Sequence, residues 1–143
     1  MENFYLFGVK THSMFDIWSI EHFISGMSIG SFAIYFSNKK FKNIEKKLSK
    51  YFEISFILFI SYLWETIEHY LETGLAGNSV AFWLQGVEHW TNRIISDPLL
   101  VLLGYLVVSK YKYLSLHARL FSAVWLYLHI FIFPHSMYLQ DLL

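Results

Sequence analysis

Nine of the eleven Lys and Arg residues of this chain fall in two short stretches, and that clustering restricts the fold more than any other feature. Six lie in "NKKFKNIEKKLSK", residues 38–50, and the others are Lys110, Lys112 and Arg119. Only Lys10 and Arg93 lie elsewhere. The segments around the basic stretches are apolar enough to enter a bilayer, where a helix needs about 20 mostly apolar residues. Four spans are predicted, at about 17–36, 51–72, 96–110 and 117–134, within a single membrane domain covering 1–143. A four-span path puts both basic stretches on one side, and the excess of positive charge makes that side cytoplasmic. Both termini then face outward. The expected fold is an all-α, multi-pass protein of the cell membrane.

The third span is short by itself. Before it, apolar residues recur at Val80, Trp83, Leu84, Val87, Trp90 and Ile94, which is helical spacing. The opposite face carries Gln85, Glu88, His89, Asn92 and Ser96. This pattern predicts an amphipathic helix over 79–95, interfacial or re-entrant. Asp97 then reads as an N-cap and Pro98 as the first residue of a new helix.

Several classes are excluded. The net charge is zero, so the basic face of a nucleic-acid binder is missing. There is no cysteine, hence no disulfide, thiolate metal site or thiol nucleophile. A nucleophile elbow, a phosphate-binding loop and His-Glu-x-x-His are all absent from the sequence. The apolar run at Phe4–Val9 has no basic lead and no small-residue cleavage site, so no cleavable signal peptide is expected.

The chemistry lies in three Glu-His pairs: Glu21-His22, Glu68-His69 and Glu88-His89. With the orientation above, all three fall at the outer ends of spans, together with Asp16, Glu65, Glu72, Asn92, Arg93, Asp97 and His129. At about 100° per residue, Glu65, Glu68, His69 and Glu72 share one helical stripe. Ionisable stripes in lipid are costly and mark functional sites when they converge. Glu and His are also ligands for a divalent metal, Zn or Fe. The reading takes His22, Glu65, His69 and His89 as metal ligands and Glu68 or Glu88 as the catalytic base. Haem stays open as a second cofactor, with His129 a ligand or a core histidine. The plainer readings are carboxylates solvated at the interface, a simple Arg93–Asp97 ion pair, and a cap at Asp97. Gly26 and Gly30 offer a smooth face for close helix packing.

The order of these features resembles that of the VanZ-like and YjdF-like small bacterial membrane proteins. There, an Asp and a His open one span, an E-x-x-E closes the next, and a "QGD-x-W-D…D" segment leads into a Gly-containing span. The counterparts are "FDIWSIEHFISG" (Asp16, His22, Gly26), "LWETIEHYLETG" (Glu65, Glu68) and "LQGVEHWTNRIISDPLLVLLGY" (Gln85, Gly86, Trp90, Asp97, Gly104). The likeness covers about residues 15–108. It implies a bacterial inner-membrane location, the helical architecture and this choice of polar positions, and it names no substrate.

Two functions are expected in competition. One is a metal-assisted hydrolase or transferase acting on a lipid or lipid-linked headgroup at the outer leaflet. The other is a non-catalytic membrane subunit or small carrier, whose polar stripes form an internal or partner-facing network within a homo-oligomer or larger membrane complex. The bilayer is a partner in both, and nucleic acid in neither.

Overall fold

A computed structural model describes residues 4–132. Two short strands, β1 (Tyr5–Phe7) and β2 (Ser13–Phe15), precede five α-helices: α1 (Ser19–Lys40), α2 (Lys46–Glu72), α3 (Asn78–Leu84), α4 (Asp97–Lys110) and α5 (Leu114–Tyr127). π-helical turns, Asn92–Ser96 and Leu128–Ile132, lead into α4 and continue α5. Two helical segments of 19 residues, Asn92–Lys110 and Leu114–Ile132, are long and apolar enough to cross a membrane. The helices α1 and α2 have 22 and 27 residues, about 33 and 40 Å at ~1.5 Å per residue.

The packing of α1 on α4 sets the register of the site. The two helices run in the same direction and touch at backbone distance. A Cβ on Gly26 would strike the backbone of Val101. One on Gly30 would lie 2.9 Å from Tyr105 Cα, and one on Gly104 would strike the Phe23 carbonyl. Contacts 26–101 and 30–105 step four residues on each helix, one turn at a time. One turn toward the N-terminal ends of both helices, the same step pairs His22 with Asp97. The helix α2 adds a buried row spaced by four, Glu53, Ile57, Ser61 and Glu65. Near the N-terminal end of α2, Glu53 accepts a hydrogen bond from Tyr105 (2.8 Å), whose hydroxyl also receives one from Lys50 (3.1 Å). Ala33, Ile57, Val101 and Tyr105 form the core between these helices. Gly104→Ala should therefore destabilise the protein by the ~1–3 kcal/mol of an overpacked core, read as a lower melting temperature in detergent. An unchanged melt would mean that the α1–α4 contact is loose.

Three sequence expectations change. The fold is not purely α-helical: β1 and β2 pair in parallel, with Tyr5 opposite Ser13 and Phe7 opposite Phe15. The helix expected over 79–95 is broken. It stops at Leu84 because Gln85 and Gly86 both take positive φ, 59° and 103°, which an α-helix does not accommodate. Asp97 is no N-cap. The helix begins upstream, and Asp97 has helical φ and ψ (−69°, −45°). The π-turn accommodates Pro98, which has no N–H to give and crowds the carbonyl four residues back. The third predicted span thus gains its missing length directly, as Asn92–Lys110. The end of the fourth, 133–134, lies outside the described residues, as do His135 and the side chain of His129.

Candidate functional site

The N-terminal ends of α1 and α4, the C-terminal end of α2, the segment 85–91 and the β ribbon bring together Lys10, Asp16, Glu21, His22, Glu65, Glu68, Glu72, Glu88, Asn92, Arg93 and Asp97. Most are buried. The cluster divides into a braced half and an open half.

In the braced half Asp16, Glu72 and Glu88 each meet a cation or an N–H donor. Glu72 is the centre. It accepts from Lys10 Nζ, from Arg93 Nη2 at 2.5 Å and from the Glu88 amide at 3.1 Å. Asp16 accepts the Trp18 and Ser19 amides on Oδ1 (2.7 and 3.0 Å) and Asn92 Nδ2 on Oδ2 (3.1 Å). It thereby holds the entry to α1 against the start of α4. Glu88 accepts from Asn92 Nδ2 at 2.9 Å and faces Arg93 Nε at 3.9 Å. Arg93 thus turns to Glu72 and Glu88, away from the simple pair with Asp97.

Electrostatics follow from burial. Burial pushes the Asp16 carboxyl up, against the lowering by the Ser19 and Trp18 amides. Burial and the neighbouring Glu68 push Glu88 up to about 8, against Lys10. Burial alone would lower Lys10, but Glu68, Glu72 and Glu88 outweigh it and hold its ammonium above the usual value. Glu88 is the group to titrate. Its folded value exceeds its unfolded one, so its contribution is complete below about 4.5 and is lost as pH rises through about 8. The thermal stability of the purified protein should fall across that window by up to ~1.4 kcal/mol per pH unit, and Glu88→Gln should flatten the slope. A slope unaltered in the variant would assign the titration elsewhere.

The open half is His22, Glu65 and Asp97. Each offers one ligating atom, and the three atoms lie within 4.8 Å of one another. His22 Nδ1 is 3.7 Å from Glu65 Oε1, and Nε2 is 3.5 Å from Asp97 Oδ2. Glu65 and Asp97 are 2% and 1% exposed. All four of their carboxylate oxygens are buried without a hydrogen-bond partner. Burying such acceptors unpaired is expensive, and three inward donors of this kind are what a divalent cation requires.

The other sequence candidates fall elsewhere. His69 projects away from Glu68, beside the ring of Tyr70 (5.9 Å), as adjacent residues on a helix must. His89 lies in a non-helical stretch. Its Nδ1 sits 2.7 Å from Thr91 Oγ1 and its ring 4.9 Å from Phe4. Neither belongs to the three-residue group; Asp97, which the sequence reading left among the general polar residues, does. Glu21 accepts from Ser25 Oγ at 2.8 Å. Lys10 was missed as a site residue. Its signal was its isolation: apart from Arg93, it is the sole Lys or Arg on the acidic side.

Beside the open half lies a cavity of about 550 Å³ between α1, α2, α3 and the end of α5. His22, Glu21, Ser25 and Glu68 line its polar part, and most of its wall is apolar. Glu88 is not among the lining residues.

The chain belongs to the family described as predicted membrane protein (DUF2238), whose model matches residues 7–118. That supports a membrane protein family; the match carries nothing specific to VanZ-like proteins. No curated protein and no solved structure matches the chain.

Proposed function

We propose that this membrane protein carries a divalent metal on His22, Glu65 and Asp97 and uses it in hydrolysis or transfer at the headgroup of a lipid or lipid-linked molecule. The observation that carries this reading is the four buried carboxylate oxygens without a hydrogen-bond partner, arranged around one imidazole. One histidine and two carboxylates suit Zn or Fe, and a metal with three protein ligands keeps a position for substrate or water. The ion would polarise a carbonyl or phosphoryl oxygen and acidify a bound water. The chain's own residues supply the rest. Glu68 reaches the cavity and is the general base. Lys10 Nζ, 3.8 Å from Glu68 Oε1, positions that carboxylate. The braced half holds Asn92–Lys110 against α1 so that the three ligands keep their spacing.

The membrane orientation belongs to the same proposal. The helices α1 and α2 serve as the first two of four spans, the loops rich in Lys face the cytoplasm, and the cluster faces outward. The braced half alone favours a second reading, a non-catalytic subunit whose polar groups satisfy one another. Elemental analysis separates the two. Protein purified without chelator should hold about one divalent ion per chain. Protein free of metal, with no uptake on titration with Zn or Fe, would favour the subunit.

A further inference from the structure

The cavity specifies more about a substrate than the metal does. Its outer part combines acid and aromatic surface. Glu21, 7% exposed, lies in the wall with Oε2 buried and unpartnered. Glu68, His22 and the indoles of Trp18, Trp64 and Trp83 share that region. Among the described residues neither Lys nor Arg lines the cavity; Arg93 is engaged by Glu72, and Lys10 by Glu72 with a longer contact of 3.8 Å to Glu68 from behind the wall. One turn further inward the wall becomes Ile29, Ile60 and Val101. Carboxylates beside aromatic faces, in a wall that itself contributes no cation, receive an ammonium group, while the apolar end receives a hydrocarbon. The volume of about 550 Å³ lies within the range of small-molecule sites. At ~30 Å³ per water-sized group, that volume matches about eighteen methylene-sized units, the size of one hydrocarbon chain.

We infer that the cavity binds a single-chain amphiphile with a cationic nitrogen in its headgroup, the chain running inward along Ile29 and Ile60 and the nitrogen lying between Glu21, Glu68 and the tryptophans. This rests on the proposed function only in taking the bound molecule as the substrate of the metal site; the binding itself does not need the metal.

The test uses the full chain in nanodiscs of a two-chain phosphatidylcholine, with tryptophan fluorescence as readout. Three brominated probes of equal chain length are titrated: an alkyltrimethylammonium, a lysophosphatidylcholine and an alkyl phosphate. Quenching by the ammonium probes should saturate, with a midpoint about tenfold below that of the alkyl phosphate, the scale of a partly desolvated cation–π contact. Ile60→Phe and Leu126→Phe fill the cavity and should raise that midpoint about tenfold, with metal content unchanged. Tighter binding of the zwitterion than of the simple ammonium would name a lysophospholipid as the ligand, and the reverse order a simple amine amphiphile. Equal midpoints for ammonium and phosphate, or no response to either filling variant, overturn the inference. Saturable binding by metal-free protein keeps the inference and removes the metal reading. Bound metal without saturable quenching does the opposite.

Discussion

Glu65→Gln should purify as a folded protein without metal, and Asp97→Asn should do the same. Both changes keep side-chain volume and remove the charge that draws the cation. Both positions are almost fully enclosed, so neither amide is rescued by solvent. In the wild type, metal at a hundredfold excess over its dissociation constant should stabilise the fold by about 2.7 kcal/mol, and chelator should remove that gain. In either variant the added metal should leave the melt where it was. The competing account makes Glu65 a buried acid kept protonated by its surroundings. Under it, Glu65→Gln is silent or stabilising, because one neutral group of the same shape replaces another and no ionisable group is left to be held neutral. The two accounts therefore differ in the sign of the stability change in the presence of metal. Retained metal in Glu65→Gln would end the three-ligand site.

The helical layout was legible because lipid leaves a chain few alternatives. Backbone groups in a bilayer must be satisfied within a helix or a closed barrel, so apolar length and basic loops suffice to sketch the helices. The glycines were legible for a similar reason: Gly26 and Gly30 permit close approach whatever the partner is. The rotation of one helix relative to another was not legible. Helical phase says that Glu68 and His69 diverge, but which of them faces the other helices depends on contacts such as Gly104 against Phe23. For this reason the three Glu-His pairs were read as equivalent, whereas one imidazole, His22, stands with two acids from other helices. In hindsight the register held a clue. Asp97, Val101 and Tyr105 repeat the spacing of His22, Gly26 and Gly30, so a pairing of the glycines with Val101 and Tyr105 carries His22 to Asp97. The β ribbon left no comparable trace. Its five-residue crossover between parallel strands is far shorter than the dozen or more residues usual for such connections, and its contribution, Lys10, reaches Glu72 across 62 positions of sequence. The break at Gln85–Gly86 was hidden because the apolar spacing continues across it.

Glu72→Gln should be the most damaging single change in the braced half. Glu72 lies between two cations, the buried Lys10 and the half-buried Arg93, and also accepts the Glu88 amide. A glutamine there leaves one carbonyl oxygen for three donors and places an amide N–H₂ against a cation. Among the described residues Lys10 then keeps only Glu68, at 3.8 Å, and Arg93 only Glu88, at 3.9 Å. Breaking a buried pair by removing one partner costs about 3–5 kcal/mol, since the remaining charge is left uncompensated. That is a large share of the ~5–15 kcal/mol stability of a folded protein, so the yield of monodisperse protein in detergent should fall sharply. A double-mutant cycle shows whether the pair is responsible. Lys10→Met in the Glu72→Gln background should cost less than the sum of the single changes, because the second substitution removes a stranded charge. Strict additivity would mean that Lys10 is held by Glu68 and that the ribbon is not tied through Glu72. Protein that does fold should still bind metal, since Glu72 is outside the group formed by His22, Glu65 and Asp97. Loss of metal in folded Glu72→Gln would make the two halves of the cluster a single site.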